Sequence, residues 1–213
     1  MRALIVVDIQ NDFLPGGALA VPHADEVVPV INRLLPCFEL VVATKDWHPR
    51  AHGSFATAHP GKKPGDRVDL YGIEQVLWPP HCVQESRGAA FAPGLDTSHF
   101  AATFYKGVDP TVDSYSAFFD NARRRSTGLD LYLEEHGVRH IHLAGLATDY
   151  CVRATAAHGL ELGLDVTVIE DACRGIDLEP GDSQRTLDDL QAAGVHVVRS
   201  EALLGAAATG PLA

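Results

Sequence analysis

The first apolar run of the chain, Leu4-Ile5-Val6-Val7, is continuously hydrophobic and mostly β-branched, and it closes on Asp8. Continuous rather than alternating hydrophobicity predicts a parallel strand buried on both faces. The period then changes. Val27, Val30, Ile31, Leu34 and Leu35 recur at helical spacing and predict a helix from Asp25 to Leu35, with Pro29 early enough to be tolerated. Further strands are predicted from Glu39 to Thr44, from Ala101 to Lys106, over 139–144 and from Asp165 to Glu170. A helix from Asn121 to His136, carrying Leu129, Leu131 and Leu133, is expected to close at Gly137. Another, capped by Thr148 or Asp149, would run to Leu162. A last helix over 183–193, capped by Asp182 or Ser183 and stopped by Gly194, turns Leu187 and Leu190 inward. Val195 to Val198 is the final predicted strand, and the Ala- and Gly-rich tail beyond it is expected to fray.

Strands and helices alternate, so the predicted fold is α/β: a three-layer sandwich with a mainly parallel central sheet, one domain spanning 1–213. Residues 46–100 break the pattern, being rich in Pro, Gly and His with little periodicity. That stretch is too long for an ordinary loop and is expected to fold over the carboxyl edge of the sheet.

Charge and cysteine usage narrow the function. Against 17 basic residues stand 28 acidic ones, a net charge of −11. The one basic cluster, Arg123-Arg124-Arg125, reads as a solvated face of its predicted helix. Neither nucleic acid nor an anionic membrane is expected as a partner. No apolar run approaches the roughly 18 residues that span a bilayer, and the N-terminal run is too short for a signal sequence. The four cysteines, Cys37, Cys82, Cys151 and Cys173, show neither a C-x-x-C pair nor a disulfide spacing. A reducing, cytoplasmic setting follows.

Three residues then stand out because all fall at carboxyl ends of predicted strands: Asp8, Lys106 and Cys151. In a parallel sheet those ends lie along one edge, so distant residues converge there. Taken singly, Asp8 either caps a loop or faces the crevice, Lys106 reads as a surface lysine, and Cys151 as a small core residue. Together they make chemical sense. Cys151 would sit in the first turn of a helix, where unpaired N–H groups and the dipole favour a thiolate. A carboxylate can take its proton and return it to a leaving amine, and an ammonium steadies both charges.

A second set lies in the insertion. Asp46 and His48 are two residues apart in an extended segment and point the same way, so they can approach one cation together. His81, in Trp78-Pro79-Pro80-His81-Cys82, supplies a third ligand and His52 a possible fourth. Mixed N and O donors suit Zn, Mn or Fe(II). Eleven histidines make chance D-x-H pairs common, and His59 and His99 are expected to be solvated.

Four blocks in order carry a resemblance: Val6-Val7-Asp8-Ile9-Gln10-Asn11-Asp12-Phe13, Thr44-Lys45-Asp46-Trp47-His48-Pro49, Trp78-Pro79-Pro80-His81-Cys82-Val83, and Gly145-Leu146-Ala147-Thr148-Asp149-Tyr150-Cys151-Val152. A fifth joins Phe104-Tyr105-Lys106-Gly107 to Val112-Asp113-Ser114-Tyr115-Ser116-Ala117-Phe118. Over residues 1–200 the chain resembles the nicotinamidase/pyrazinamidase branch of the isochorismatase-like cysteine hydrolases. The resemblance implies a triad of Asp8, Lys106 and Cys151, and one divalent ion, zinc favoured, on Asp46, His48 and His81, with His52 a weaker carry-over. It implies a cis peptide before Ala147, which joins the N–H of Ala147 to that of Cys151 as an oxyanion hole. It places Phe13, Leu19, Trp78 and Tyr115 around a flat heteroaromatic ring, although each alone is equally compatible with core packing. Nicotinamide would be hydrolysed to nicotinate and ammonia in NAD salvage, and pyrazinamide would be a further substrate.

The rivals are an isochorismate, carbamoylsarcosine or ureido hydrolase of the same superfamily, a silent α/β protein with a structural zinc, and a thiol-redox protein. The metal set argues against the first, the intact triad against the second, and the lack of C-x-x-C against the third. Helix faces alone do not separate a core from a subunit interface, which leaves a homo-oligomer open.

Overall fold

A computed structural model describes residues 1–208. Its strands, in chain order, are β1 (Arg2–Val7), β2 (Leu40–Asp46), β3 (Arg67–Leu70), β4 (Ile73–Val76), β5 (Ala102–Lys106), β6 (His140–Leu146), β7 (Asp165–Arg174) and β8 (His196–Val198). Six of them form one sheet in the order β5-β2-β1-β6-β7-β8, every pairing parallel. β3 and β4 form a separate antiparallel hairpin within the insertion. The chain builds outward from β1 through β2 to β5, then returns to β6 on the other side of β1. The order of connections thus reverses between β1 and β6, and a crevice opens there at the carboxyl ends.

The alternation of β1 divides the core. Leu4 and Val6 face one layer; Ala3, Ile5 and Val7 face the other. Among the described residues five α-helices cover the sheet: α1 (Val27–Leu34), α2 (Leu129–Glu135), α3 (Arg153–Glu161), α4 (Asp182–Ala192) and α5 (Ser200–Ala208). The first layer takes α1 through Val27, Ile31 and Leu34, with Leu203 and Leu204 of α5 beside it. The second takes α2 through Leu129 and Leu133, α3 through Ala156 and α4 through Leu190, with Leu187 partly buried alongside. Each fully buried Leu or Ile of this kind is worth about 1.5–3 kcal/mol over an exposed one. The three-layer α/β prediction holds.

Several boundaries differ. The helix expected over 121–136 forms only from Leu129. The Asp120 carboxylate accepts the N–H groups of Ala122, Arg124 and Arg125, closing a turn that competes with helix. Arg123, Arg124 and Arg125 are therefore exposed on a loop, and Leu131 is exposed on α2. β7 runs four residues past Glu170, to Arg174. Neither Asp182 nor Ser183 caps α4; Gly181, at φ 85°, precedes it. The tail does not fray at once: α5 begins at Ser200, whose N–H and hydroxyl donate to the Asp171 carboxylate. The last part of the expected fraying, 209–213, lies outside the described residues.

Candidate active site

The carboxyl ends of four neighbouring strands supply the polar centre. Asp8 follows β1 directly at φ 52°, a left-handed value that Asp tolerates better than most residues. Asp46 ends β2, Lys106 ends β5, and Cys151 lies five residues beyond β6. The segment after β6 is not the capped α-helix expected at Thr148 or Asp149. It is a π-helical turn, Thr148–Val152, that leads into α3. Neither side chain caps it; Asp149 turns away to accept the N–H groups of Ile176 and Asp177 at 3.0 and 2.7 Å. The peptide between Leu146 and Ala147 is cis, as the resemblance implied.

Lys106 comes from the edge strand and reaches across β2. Its Nζ lies 2.8 Å from Asp8 Oδ2 and donates to Cys151 Sγ at 3.3 Å, and it is paired with Asp46 Oδ1. The Thr44 hydroxyl donates to Asp8 Oδ1 at 2.7 Å. One oxygen of Asp8, one of Asp46 and the Cys151 sulfur all lie within 4.8 Å of one another. Burial pushes the Asp8 carboxyl up to about 6, with Lys106 working against the rise and Asp46 adding to it. Burial also holds the Cys151 thiol well above its ordinary value. For Asp46 burial is outweighed by the Lys106 ammonium, which holds that carboxyl well below the usual range. For Lys106 burial is likewise outweighed, here by Asp46 and Asp8, so it stays charged.

Beside this centre are the metal-ligand candidates. His48 Nε2 and His81 Nε2 each lie 3.6 Å from Asp46 Oδ2. Their other ring nitrogens face backbone carbonyls: His48 Nδ1 is 3.0 Å from Gly107 O, and His81 Nδ1 is 2.8 Å from Pro79 O. Protons on Nδ1 satisfy those carbonyls and leave both Nε2 lone pairs facing Asp46. Gly107, at φ 67°, allows the approach; a Cβ there would fall 2.3 Å from the His48 ring. Two imidazole nitrogens and one carboxylate oxygen, all buried and mutually within 4.8 Å, fit a divalent first-row ion. His52 is not grouped with Asp46 and His81. It stands with His48 and Asp113, its Nδ1 accepts from the Ser54 N–H at 3.2 Å, and its buried Nε2 has no partner among the described residues. Of the two histidines expected to be solvated, His99 is exposed. His59 is half-buried, its Nε2 lying 2.7 Å from Gly53 O.

Cys151 and the three metal-ligand candidates open into one cleft, lined by Phe13, Leu19, Trp78, Tyr115, Ala147 and Cys151 together with Asp46, His48 and His81, while Asp8 and Lys106 lie buried behind Cys151. All four ring-wall candidates are therefore placed on it. Three further lining residues, Asp113, Tyr150 and Ile176, escaped the reading of the sequence. Asp113 stood inside the fifth motif block and Tyr150 beside Cys151, so adjacency was a signal for both. Ile176 had none, since it arrives through the Asp149 bonds. The Tyr115 hydroxyl is fixed by N–H donors from Gln75 at 3.0 Å and Trp78 at 3.2 Å.

Residues 2–202 match the family model described as Isochorismatase domain. The chain belongs to the isochorismatase family. Within the isochorismatase family it is 50% identical over 197 residues to the nicotinamidase of Escherichia coli K12, covering 91% of this chain and 92% of that one. A solved nicotinamidase/pyrazinamidase of Acinetobacter baumanii is 46% identical with a TM-score of 0.92, covering 95% and 97% of the two chains. A pyrazinamidase of Pyrococcus horikoshii, solved in complex with zinc, is 37% identical with a TM-score of 0.76, covering 93% and 98%.

Proposed function

We propose that this isochorismatase-family chain is a single-domain cytoplasmic nicotinamidase that hydrolyses nicotinamide to nicotinate and ammonia through a thioester on Cys151. The observation that carries the reading is convergence: Lys106 joins Asp8, Asp46 and Cys151, and Cys151 opens into the same cleft as Asp46, His48 and His81. A purely structural metal would not need that triad, and an isochorismate or ureido substrate would not need the metal ligands. The names of its relatives point the same way.

Bound to Asp46, His48 and His81, a divalent ion, zinc favoured, would supply a coordination position for the ring nitrogen of a pyridine carboxamide. Phe13, Leu19, Trp78 and Tyr115 enclose the flat ring and bring its carboxamide to Cys151. Asp8, whose raised carboxyl suits a base working near neutral pH, takes the proton from the Cys151 thiol. Lys106, in contact with both, favours the charged forms. The thiolate attacks the amide carbon, and the N–H groups of Ala147 and Cys151 hold the oxyanion. Donors of that kind are worth about 3–4 kcal/mol each. Asp8 gives its proton to the departing nitrogen, ammonia leaves, and a thioester remains. Asp8 then takes a proton from water, the hydroxide attacks the thioester carbon, and nicotinate departs as the Cys151 sulfur recovers its proton. Nicotinate would feed pyridine-nucleotide salvage. Pyrazinamide keeps a ring nitrogen in the same relation to its carboxamide and is a second substrate.

The test is ammonia release from nicotinamide by wild type and Cys151→Ala, before and after chelation. Turnover in wild type, its loss in Cys151→Ala and its fall on chelation are the expected results. No turnover by metal-replete wild type would overturn the substrate, and activity surviving in Cys151→Ala would overturn the mechanism.

A further inference from the structure

The backbone of Asp46 is held on one side by a side chain where a strand would be expected. β1 pairs with β2 only as far as Val6 opposite Ala43, whereas β2 continues beside β5 to Asp46. The Trp47 N–H bonds to the Lys106 carbonyl on the β5 side. Successive residues of a strand send their backbone groups to opposite sides. The N–H and C=O of Asp46 therefore face the other way, past the point where β1 has ended. Gln10 fills that place. Its Oε1 accepts the Asp46 N–H at 2.8 Å, and its Nε2 donates to the Asp46 carbonyl at 2.8 Å and to the Ala89 carbonyl at 3.0 Å. The side chain is fully buried, with both amide protons and the oxygen engaged. It stands in for the peptide group that β1 no longer provides.

We infer that Gln10 is a positioning residue for the metal centre, acting through Asp46; this rests on the metal reading proposed above. The Asp46 carboxylate must serve two partners at once. Oδ1 is taken by Lys106, and Oδ2 lies 3.6 Å from Nε2 of both His48 and His81. The direction of the Asp46 Cα–Cβ bond decides whether both demands are met, and the peptide groups on either side of that carbon set the direction. Gln10 grips one atom of each group. Without it, a buried N–H and a buried C=O lose their partners, and Asp46 is free to turn toward Lys106 alone. The carboxylate then leaves the two histidines, and the third metal ligand is lost without any ligand being mutated.

The experiment compares purified metal-free wild type, Gln10→Met and Gln10→Glu by zinc titration against a chromophoric chelator, with KM and kcat for nicotinamide measured at rising zinc. Groups that orient a ligand from behind are typically worth 10–100-fold in metal affinity. The zinc Kd is expected to rise at least about tenfold in both variants, and excess zinc brings KM back toward wild type, which a merely misfolded chain would not show. Gln10→Glu keeps the size and the acceptor for the Asp46 N–H while losing both donors, so it decides the matter if Gln10→Met folds poorly. Folded variants that bind zinc within twofold of wild type would overturn the role of Gln10. Wild type that takes up no divalent ion would overturn the metal reading itself, a result distinguishable because it appears before any variant is compared.

Discussion

Lys106 carries the only positive charge in direct contact with Asp8, Asp46 and Cys151 among the described residues. Two buried carboxylates competing for one ammonium explain why their proton affinities move apart. Asp46 takes the larger share of the cation and stays ionised, while Asp8 is left with a carboxyl near 6. That split supports the roles proposed above, since the easily protonated acid is the one able to shuttle a proton. A pH dependence follows with a definite sign. The attacking step needs Asp8 as the carboxylate, so kcat/KM for nicotinamide falls below pH 6, approaching a tenfold loss per pH unit, and levels above it. The measurement is a pH–rate profile with zinc saturating at every point, so that ligand protonation does not imitate the limb. A profile flat down to pH 5 would show that Asp8 is not the base.

The elements at the sheet edge explain what was legible and what was not. The strand ends could be read from the chain because a continuous apolar run stops abruptly at Asp8 and a β-prone run, Ala102 to Tyr105, stops at Lys106, and a parallel sheet gathers such ends. The turn holding Cys151 could not, because its shape depends on a partner 27 residues away. The sequence offers Thr148 or Asp149 as a local cap, but the Asp149 carboxylate instead holds the Ile176 and Asp177 N–H groups. Asp177 in turn accepts from the N–H and hydroxyl of Ser183 in the first turn of α4. The same competition by a side chain removed the first half of the helix expected at Asn121, where Asp120 collects three N–H groups. Gln10 was visible within a motif, yet its task appears only when Asp46 lies beside it. Asp149→Ala strips two N–H groups of their acceptor and frees the segment bearing Ile176, a wall of the cleft. Because both N–H groups are part-buried, we expect no more than about 1–3 kcal/mol of destabilisation per unpaired group and a severalfold rise in KM for nicotinamide, with kcat less affected. Asp149→Asn retains an acceptor oxygen and restores part of both. Urea unfolding and steady-state kinetics check the pair; unchanged KM in a destabilised Asp149→Ala would confine Asp149 to a structural role.

At the scale of the whole molecule, the central sheet contains a group whose protonation opposes folding. His142 lies on β6, opposite Leu4 of β1, and is only 2% exposed. Its ring meets Phe38 edge-on at 4.8 Å and stacks on His140 at 4.3 Å. Nδ1 has no hydrogen-bond partner among the described residues. Burial, aided by the charges of His140 and Arg2, pushes the imidazole down to about 4 from an ordinary value of 6.5. Between those two values the unfolded chain takes up a proton that the folded chain refuses. The contribution of His142 to stability is therefore present above pH 6.5 and is lost as the pH falls toward 4, by at most about 1.4 kcal/mol per pH unit. His142→Leu cannot bind that proton in either state. The difference in unfolding free energy between wild type and His142→Leu should thus be constant from pH 7 to 8 and shift in favour of the variant as the pH falls from 6.5 to 4. Because β6 joins β1 to β7, this penalty falls on the sheet whose strand ends carry the proposed catalytic residues, so acid inactivation of wild type would combine a reversible limb from Asp8 with unfolding. Denaturant melts at closely spaced pH values separate the two. Parallel curves for wild type and His142→Leu across that window would mean that the imidazole gains its proton without cost in the folded chain.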